Sequence, residues 1–146
     1  MTRDDIVAAA RSALDTPFRH QGRRVGKGLD CAGLLVHVVT ALGLPVADRS
    51  GYARHPSSGE LESALAEHVA LGILVPVPVS AAQAGDFVLM RFETERENRH
   101  LGVIGHGDML IHAWAVVRKV CEHRIDDQWR RRIVAAWCIA GVEDGR

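Results

Sequence analysis

The residue with the clearest chemical potential is Cys31, because it opens an apolar run that is typical of a helix. The run extends to Leu44, too long for an ordinary strand, and contains the common helix-stop residue Gly43. Asp30 precedes the run and can act as an N-cap, accepting bonds from the first unpaired backbone N–H groups. The helix dipole favours an anion in this first turn, which biases a thiol there toward thiolate. The alternative is a buried cysteine that merely opens a core helix.

Two histidines flank a predicted hairpin that could supply a base for such a thiol. His100 precedes the apolar run 101–104, and His112 nearly closes the run 109–113. The intervening Gly-His-Gly-Asp segment, 105–108, is a turn signal between two strands. A nucleophilic cysteine needs both a base and a group that orients the base, and these histidines could fill the two roles.

The register of this hairpin decides whether the two imidazoles meet. A three-residue turn, Gly105-His106-Gly107, pairs Ile104 with Asp108 and makes His100 and His112 direct cross-strand neighbours on one face. A two-residue turn would place them on opposite faces. We predict the three-residue turn, with His112 orienting His100.

The remaining histidines, cysteines and tryptophans show no comparable placement. We interpret the other histidines as surface or satisfied residues: His20, His37, His55, His68, His106 and His123. Two cysteines within apolar strand patterns, and all three tryptophans, are interpreted as core or rim packing: Cys121, Cys138, Trp114, Trp129 and Trp137.

The composition is that of one globular domain, which we expect to span residues 1–146. A hydrophobic fraction of 47% is enough for a core without disulfides, and three irregularly spaced cysteines do not form a disulfide framework. Eighteen basic and eighteen acidic residues cancel, so neither nucleic acid nor a membrane surface is an expected partner. Neither a signal peptide nor a transmembrane helix is visible, so we expect synthesis in the cytoplasm without an export signal and no membrane insertion.

The predicted helices come before the predicted strands, which favours an α+β fold with helices packed on one side of a central antiparallel sheet. Thr2 and Asp5 resemble a capping box for a first helix with apolar positions from Ile6 to Leu14, and Ser58 can cap a third helix over 59–71. The predicted strands are an edge strand at 73–79, a buried strand at 87–90, the hairpin, and strands at 116–120 and 133–139. The segments 44–58 and 93–99 are predicted to be irregular and solvent-exposed, respectively.

Several segments together resemble the NlpC-type cysteine peptidases, papain-like enzymes that cut bacterial cell-wall peptides. Asp30-Cys31-Ala32-Gly33-Leu34 resembles the family's Asp-Cys-Ser-Gly-Leu signature. The other matching segments follow in the family's order: Thr16-Pro17-Phe18 with Gly22, Gly85-Asp86-Phe87-Val88, His100-Leu101-Gly102-Val103 and Ile111-His112-Ala113. The match runs from about residue 16 to 114 and resembles the branch encoded beside phage and phage-like tail genes.

Two residues depart from the family pattern. Phe18 stands where the family usually has a tyrosine, so the packing is kept and a hydrogen-bond donor is lost. Ala32 replaces the usual serine, which leaves Asp30 alone to recognise a free amino terminus. Phe18 and Asp30 are therefore the candidate substrate-binding residues.

The resemblance implies hydrolysis of peptidoglycan stem peptides between D-glutamate and the diamino acid. Cys31 would be the nucleophile, His100 the base and His112 the orienting residue, with no metal or organic cofactor. The implied partners are the stem peptide and phage-tail proteins, with action in the cell wall after delivery in a phage-like tail.

Two alternatives from other classes stay open. In one, Cys31, His100 and His112 bind zinc together with His106 or a carboxylate, in a zinc-dependent hydrolase. Their spacing matches no zinc pattern. In the other, the chain is a non-catalytic tail-assembly adaptor that retains the fold, as the departures at Phe18 and Ala32 suggest.

Overall fold

The computed structural model describes residues 1–48, 60–92 and 99–143. The helices are α1 (Arg3–Arg11), α2 (Cys31–Ala41), α3 (Glu60–Ala70) and α4 (Asp127–Arg132). The strands are β1 (Arg23–Arg24), β2 (Gly28–Leu29), β3 (Leu74–Val77), β4 (Phe87–Arg91), β5 (Arg99–Gly105), β6 (Met109–Trp114), β7 (Lys119–Arg124) and β8 (Ile133–Ile139). The predicted cap at Ser58, His55 and most of the two predicted irregular segments lie outside the described residues.

Six strands form one antiparallel sheet in the order β3-β8-β4-β5-β6-β7. Helices α1 and α2 pack on one face, in a core that includes Leu101 and Val103 of β5. A second buried cluster, with Trp129 of α4, covers the other face. The predicted α+β class is confirmed, and the proline-containing β3 is an edge strand as expected. No helix in the described ranges is both long and apolar enough to cross a bilayer.

The first helix begins where its cap predicts. The hydroxyl of Thr2 accepts from the backbone N–H of Asp5 at 3.2 Å, and the Asp5 carboxylate accepts from the Thr2 N–H at 2.8 Å. This confirms the predicted capping box. The helix nevertheless ends at Arg11, short of the predicted Leu14.

A buried ion pair ties α1 to the sheet. Arg3 Nη1 donates to Asp86 Oδ1 at 2.8 Å, and the two residues are 6% and 0% exposed. The same nitrogen donates to the carbonyl of Ala84 at 2.8 Å. The start of β4 is thereby fixed against the N-terminal helix.

The predicted hairpin register is wrong by two residues. Gly105 pairs with Met109 and Ile104 pairs with Leu110, so the turn is 106–108. Left-handed backbone at Gly107 (φ 73°) and Asp108 (φ 58°) sets this turn one residue later than predicted. Because the shift of the pairing is even, every side chain keeps its predicted face.

The strand predicted at 116–120 is also misplaced. Val116 and Val117 are exposed residues of a turn, where Arg118 has φ 64°, and the strand β7 begins at Lys119. It continues through the polar segment 121–124 at the edge of the sheet. A half-exposed edge strand does not show the apolar pattern on which the prediction relied.

Candidate active site

The start of α2 is held by the side chain of Asp30. Its Oδ1 accepts from the N–H of Gly33 at 2.8 Å, which confirms the predicted N-cap. Oδ2 accepts from the N–H of Gln21 at 2.8 Å, and Arg23 forms an ion pair with Oδ1 at 2.9 Å. These bonds fix Cys31 in the first helical turn, where unpaired N–H groups gather. The substrate-binding role of Asp30 stays a prediction, since its carboxylate already serves the chain's own donors.

The loop before α2 packs tightly against the helix. A Cβ at Gly33 would collide with the carbonyl oxygen of Gly22, so only glycine permits this approach. Phe18 lies half-buried in the same loop, and its N–H donates to the carbonyl of Arg118 at 2.8 Å. Its ring packs against the core on the helix side of the sheet, and its substrate-binding role stays a prediction.

The structure brings His100 and His112 together. Both are buried, at 1% and 0% exposed, and His100 Nε2 lies 2.5 Å from His112 Nδ1. In the observed register they are diagonal rather than direct cross-strand neighbours. The predicted direct pairing is wrong, but the predicted shared face is confirmed because the register shift is even.

A third histidine extends this pair. His112 Nε2 lies 2.8 Å from His123 Nε2, and His123 Nδ1 lies 2.9 Å from the carbonyl oxygen of Arg124. His100, His112 and His123 are hereafter the histidine chain. His123 was interpreted from sequence as a surface or satisfied residue; it is half-buried and contacts His112 directly.

The Arg124 carbonyl fixes the direction of every bond in the histidine chain when the rings are neutral. A carbonyl can only accept, so His123 Nδ1 carries a proton and its Nε2 is an acceptor. His112 must then donate from Nε2 and accept at Nδ1, so His100 donates from Nε2. The Nδ1 atom of His100 is left with a lone pair, which makes it the basic nitrogen of the chain.

Burial keeps the two inner rings neutral. Burial, and to a smaller extent the positive charge that His123 can carry, lowers the pKa of His100 to about 3. The pKa of His112 is likewise lowered, first by burial and then by His100 and His123. Neutral imidazole is the form that can accept a proton, so His100 is unprotonated and can act as an acceptor at neutral pH.

Aromatic rings cover the histidine chain. The indole of Trp114 stacks on His112 at 5.3 Å and 29°, and the centroid of Trp129 lies 4.6 Å from that of His123. Phe92 lies 5.9 Å from His100. This cover accounts for the burial of the inner rings, and the predicted packing role of Trp114 and Trp129 is observed.

The predicted nucleophile and the histidine chain contact different clusters of the core. Cys31 is 3% exposed and belongs to the core on the helix side, whereas the histidine rings contact Phe92 and Trp129 on the other face. Helix α2, which begins at Cys31, packs against β5 and β6, the strands that carry His100 and His112.

The predicted zinc set is not gathered by the fold. His106 lies on the exposed hairpin turn, where it pairs with Asp4 at 2.8 Å. Within the described ranges, the one group of three possible ligands is His112, Cys121 and His123. Cys121 is half-buried, and burial raises the pKa of its thiol more than Lys119 lowers it.

Sequence reasoning missed His123 because β7 was misplaced. Given the observed strand, Cys121 lies directly opposite His112, and His123 follows two residues later on the same face. The signal was present in the spacing, and could be read only once the register of β6 with β7 was known.

Comparison with known structures places this fold. A domain of an NlpC/P60 family protein from Bacillus cereus superposes with a TM-score of 0.64 at 18% identity, over 93% of this chain and 39% of that one. The NlpC/P60 domain of the peptidoglycan hydrolase SagA gives 0.58 at 23% identity, over 93% and 97%. RipD from Mycobacterium tuberculosis, described as a non-catalytic NlpC/P60 protein adapted to peptidoglycan binding, gives 0.58 at 15% identity, over 93% and 95%.

Sequence comparison gives the family. No curated protein sequence matches the chain significantly. The model of the NlpC/P60 family matches residues 15–138, which include α2, the whole histidine chain and most of the sheet. The chain therefore belongs to the NlpC/P60 family.

Proposed function

We propose that this protein is a cysteine peptidase that hydrolyses peptidoglycan stem peptides. The observation that carries the proposal is the histidine chain. The directions of its hydrogen bonds leave an unprotonated Nδ1 on a buried, neutral His100. Cys31 is the nucleophile at the capped start of α2, and His112 orients His100. His123 is a positioning residue that fixes the tautomer of His112.

The proposed reaction uses only these groups and water. Nδ1 of His100 takes the proton of Cys31, and the thiolate attacks an amide carbonyl carbon. The oxyanion that forms is stabilised by the unpaired N–H groups at the start of α2. His100 returns the proton to the leaving amine, the C–N bond breaks, and water hydrolyses the thioester to release the acid and restore Cys31.

The substrate proposal rests on family membership and on charge. SagA and RipB are described as peptidoglycan hydrolases, and both share this fold. A cavity of about 280 Å³ lies next to Asp30, because Arg23 both lines the cavity and forms an ion pair with Asp30. Its other basic lining residues are Arg19, Arg24 and Lys27. A stem peptide carries carboxylates that such a cavity would attract. We propose the bond between D-glutamate and the diamino acid, as the sequence motifs imply.

A second candidate is a domain that binds peptidoglycan without cutting it. The observation in its favour is that Cys31 belongs to the core cluster on the helix side, whereas the ring of His100 contacts Phe92 of the second cluster. Phe18 and Ala32 also depart from the family pattern. RipD is described as having taken this course.

The reactivity of the three thiols distinguishes the two candidates. If Cys31 is activated, brief iodoacetamide treatment of the native protein at neutral pH should label it faster than Cys121 and Cys138, as peptide mapping would show. Digestion of purified peptidoglycan, with the fragments identified by mass, then tests cleavage, and Cys31→Ala is the control. Slow labelling of Cys31 and undigested peptidoglycan would favour the binding domain.

We further propose that the protein acts in the cell wall as part of a phage-like tail. Its support is the resemblance of the motifs around Cys31 and His100 to the tail-associated branch. Co-purification with tail proteins would test this proposal, and its failure would leave the hydrolase proposal unaffected.

A further inference from the structure

We propose that His112, Cys121 and His123 form a binding site for a divalent transition metal, with Zn²⁺ as the expected ion. One ligand atom from each residue lies within 4.8 Å of the other two. His112 and Cys121 are direct cross-strand partners, and His123 is two residues along β7 on the same face. Two imidazoles and one thiolate are a ligand set that suits zinc, with water as the fourth ligand.

The site needs little rearrangement to hold the ion. Around tetrahedral zinc, with bonds of about 2.0–2.3 Å, ligand atoms stand roughly 3.3–3.7 Å apart. The Nε2 atoms of His112 and His123 are 2.8 Å apart, so the two rings must part by about 0.5 Å and turn until both lone pairs face the ion. β7 is an edge strand and both of its ligands are half-buried, which leaves a route for the ion.

The surroundings of His123 already match those of a metal ligand. Its Nδ1 donates to the Arg124 carbonyl at 2.9 Å, so its Nε2 keeps a lone pair, which faces Nε2 of His112 at 2.8 Å in the metal-free chain. Metal-ligating histidines usually hold their second nitrogen by such a bond, which fixes both tautomer and ring orientation. The Arg124 carbonyl, which sets the hydrogen-bond directions in the histidine chain, therefore also leaves His123 Nε2 unprotonated and able to bind a cation.

Metal binding would reverse the direction of the hydrogen bond between His112 and His100. Cys121 would lose its proton to solvent and form a metal–sulfur bond, while His112 would give its Nε2 lone pair to the metal. The His112 proton must then reside on Nδ1 and be donated to His100 Nε2, so the proton of His100 moves to its Nδ1. The consequence for hydrolysis, which rests on the proposed function, is that His100 can no longer accept the proton of Cys31.

Cobalt can test the site without any reference to activity. We expect metal-free protein to bind one equivalent of Co²⁺, with a near-ultraviolet thiolate-to-cobalt band and visible bands of tetrahedral cobalt. Cys121→Ser should lose the thiolate band and at least about tenfold in affinity. Cys138→Ser and Cys31→Ala are matched controls and should keep both. A band that survives Cys121→Ser, or that disappears in Cys31→Ala, would overturn the assignment, as would its absence in the wild type.

The reversal of the chain has its own readout. Imidazole ¹⁵N spectra of metal-free protein should show His100 protonated at Nε2, and one equivalent of Zn²⁺ should move the proton to Nδ1. The wild type, but not Cys121→Ser, should then lose peptidase activity with Zn²⁺ and regain it with a chelator. An unchanged His100 tautomer in the zinc-loaded protein would refute the reversal. The wild type could bind cobalt as described and yet show no peptidase activity in the presence of chelator. That result would contradict the proposed function but would still support the metal site.

Discussion

Acid should destabilise this protein chiefly through two buried histidines, His100 and His112. Burial lowers the pKa of His100 to about 3 and also lowers that of His112, whereas an unfolded histidine titrates near about 6.5. Between these values the unfolded chain binds more protons than the folded one. The free energy of unfolding must therefore fall as the pH falls below about 6.5.

The size of the effect follows from the unfolded chain alone. At about pH 4.5 an unfolded histidine is almost fully protonated, so keeping one neutral in the fold costs about 2.5 kcal/mol relative to about pH 7. The pKa values of His100 and His112 in the folded protein do not alter this figure, since both lie well below about pH 4.5. The two histidines together would remove up to about 5 kcal/mol, which equals the whole stability of a marginal domain.

Urea denaturation at the two pH values would measure this loss in three chelator-treated proteins: the wild type, His112→Asn and His106→Gln. For each protein the free energy of unfolding at about pH 4.5 is subtracted from that at about pH 7, so the pH-independent cost of a substitution cancels. Comparing these differences between proteins then removes the contribution of titrating carboxylates, which all three proteins share. His112→Asn should lose about 2.5 kcal/mol less than the wild type on acidification. His106→Gln, which changes an exposed histidine, should behave as the wild type does. If His112→Asn loses as much stability as the wild type, the histidine chain is not held neutral by burial.

Three further perturbations test other parts of the account. His100→Ala should abolish nearly all hydrolysis of a stem peptide while His112→Ala leaves a measurable rate, because only the former removes the base; equal losses would contradict an orienting role for His112. Gly33→Ala should lower the free energy of unfolding by about 1–3 kcal/mol in urea, since its Cβ would collide with the Gly22 carbonyl, and an unchanged midpoint would show that the loop yields freely. Fusion to a secretory signal should make expression more toxic to a bacterial host than cytoplasmic expression at the same level, because the proposed substrate lies outside the membrane; equal toxicity would count against a cell-wall substrate.

The features that could be predicted from sequence are those that depend on near neighbours in the chain. The capping box of Thr2 with Asp5 and the cap of Asp30 on Gly33 each span three residues, so residue type alone specifies them. The shared face of His100 and His112 was also predictable. It depends only on whether the turn is odd or even in length, and the error in its position preserved that parity.

What could not be predicted depends on pairing between distant segments. β7 carries Cys121, Glu122 and His123 at a sheet edge, where one side of the strand meets solvent and the apolar alternation is lost. Without that strand, His123 has no reason to approach His112. The placement of Cys31 relative to His100 is likewise set by how α2 lies across the sheet, which no local pattern encodes.

The ion pair between Arg3 and Asp86 affects where this domain can be cut. The family match begins at residue 15, after α1 has ended, so a fragment drawn to that boundary would discard Arg3 and keep Asp86. The buried carboxylate would then lose the counter-charge of Arg3, at a cost of up to about 3–5 kcal/mol. An expressed fragment that begins at residue 15 should therefore be poorly soluble, and Asp86→Asn should partly rescue it. The N-terminal helix is outside the family signature, yet the sheet that carries the histidine chain depends on it.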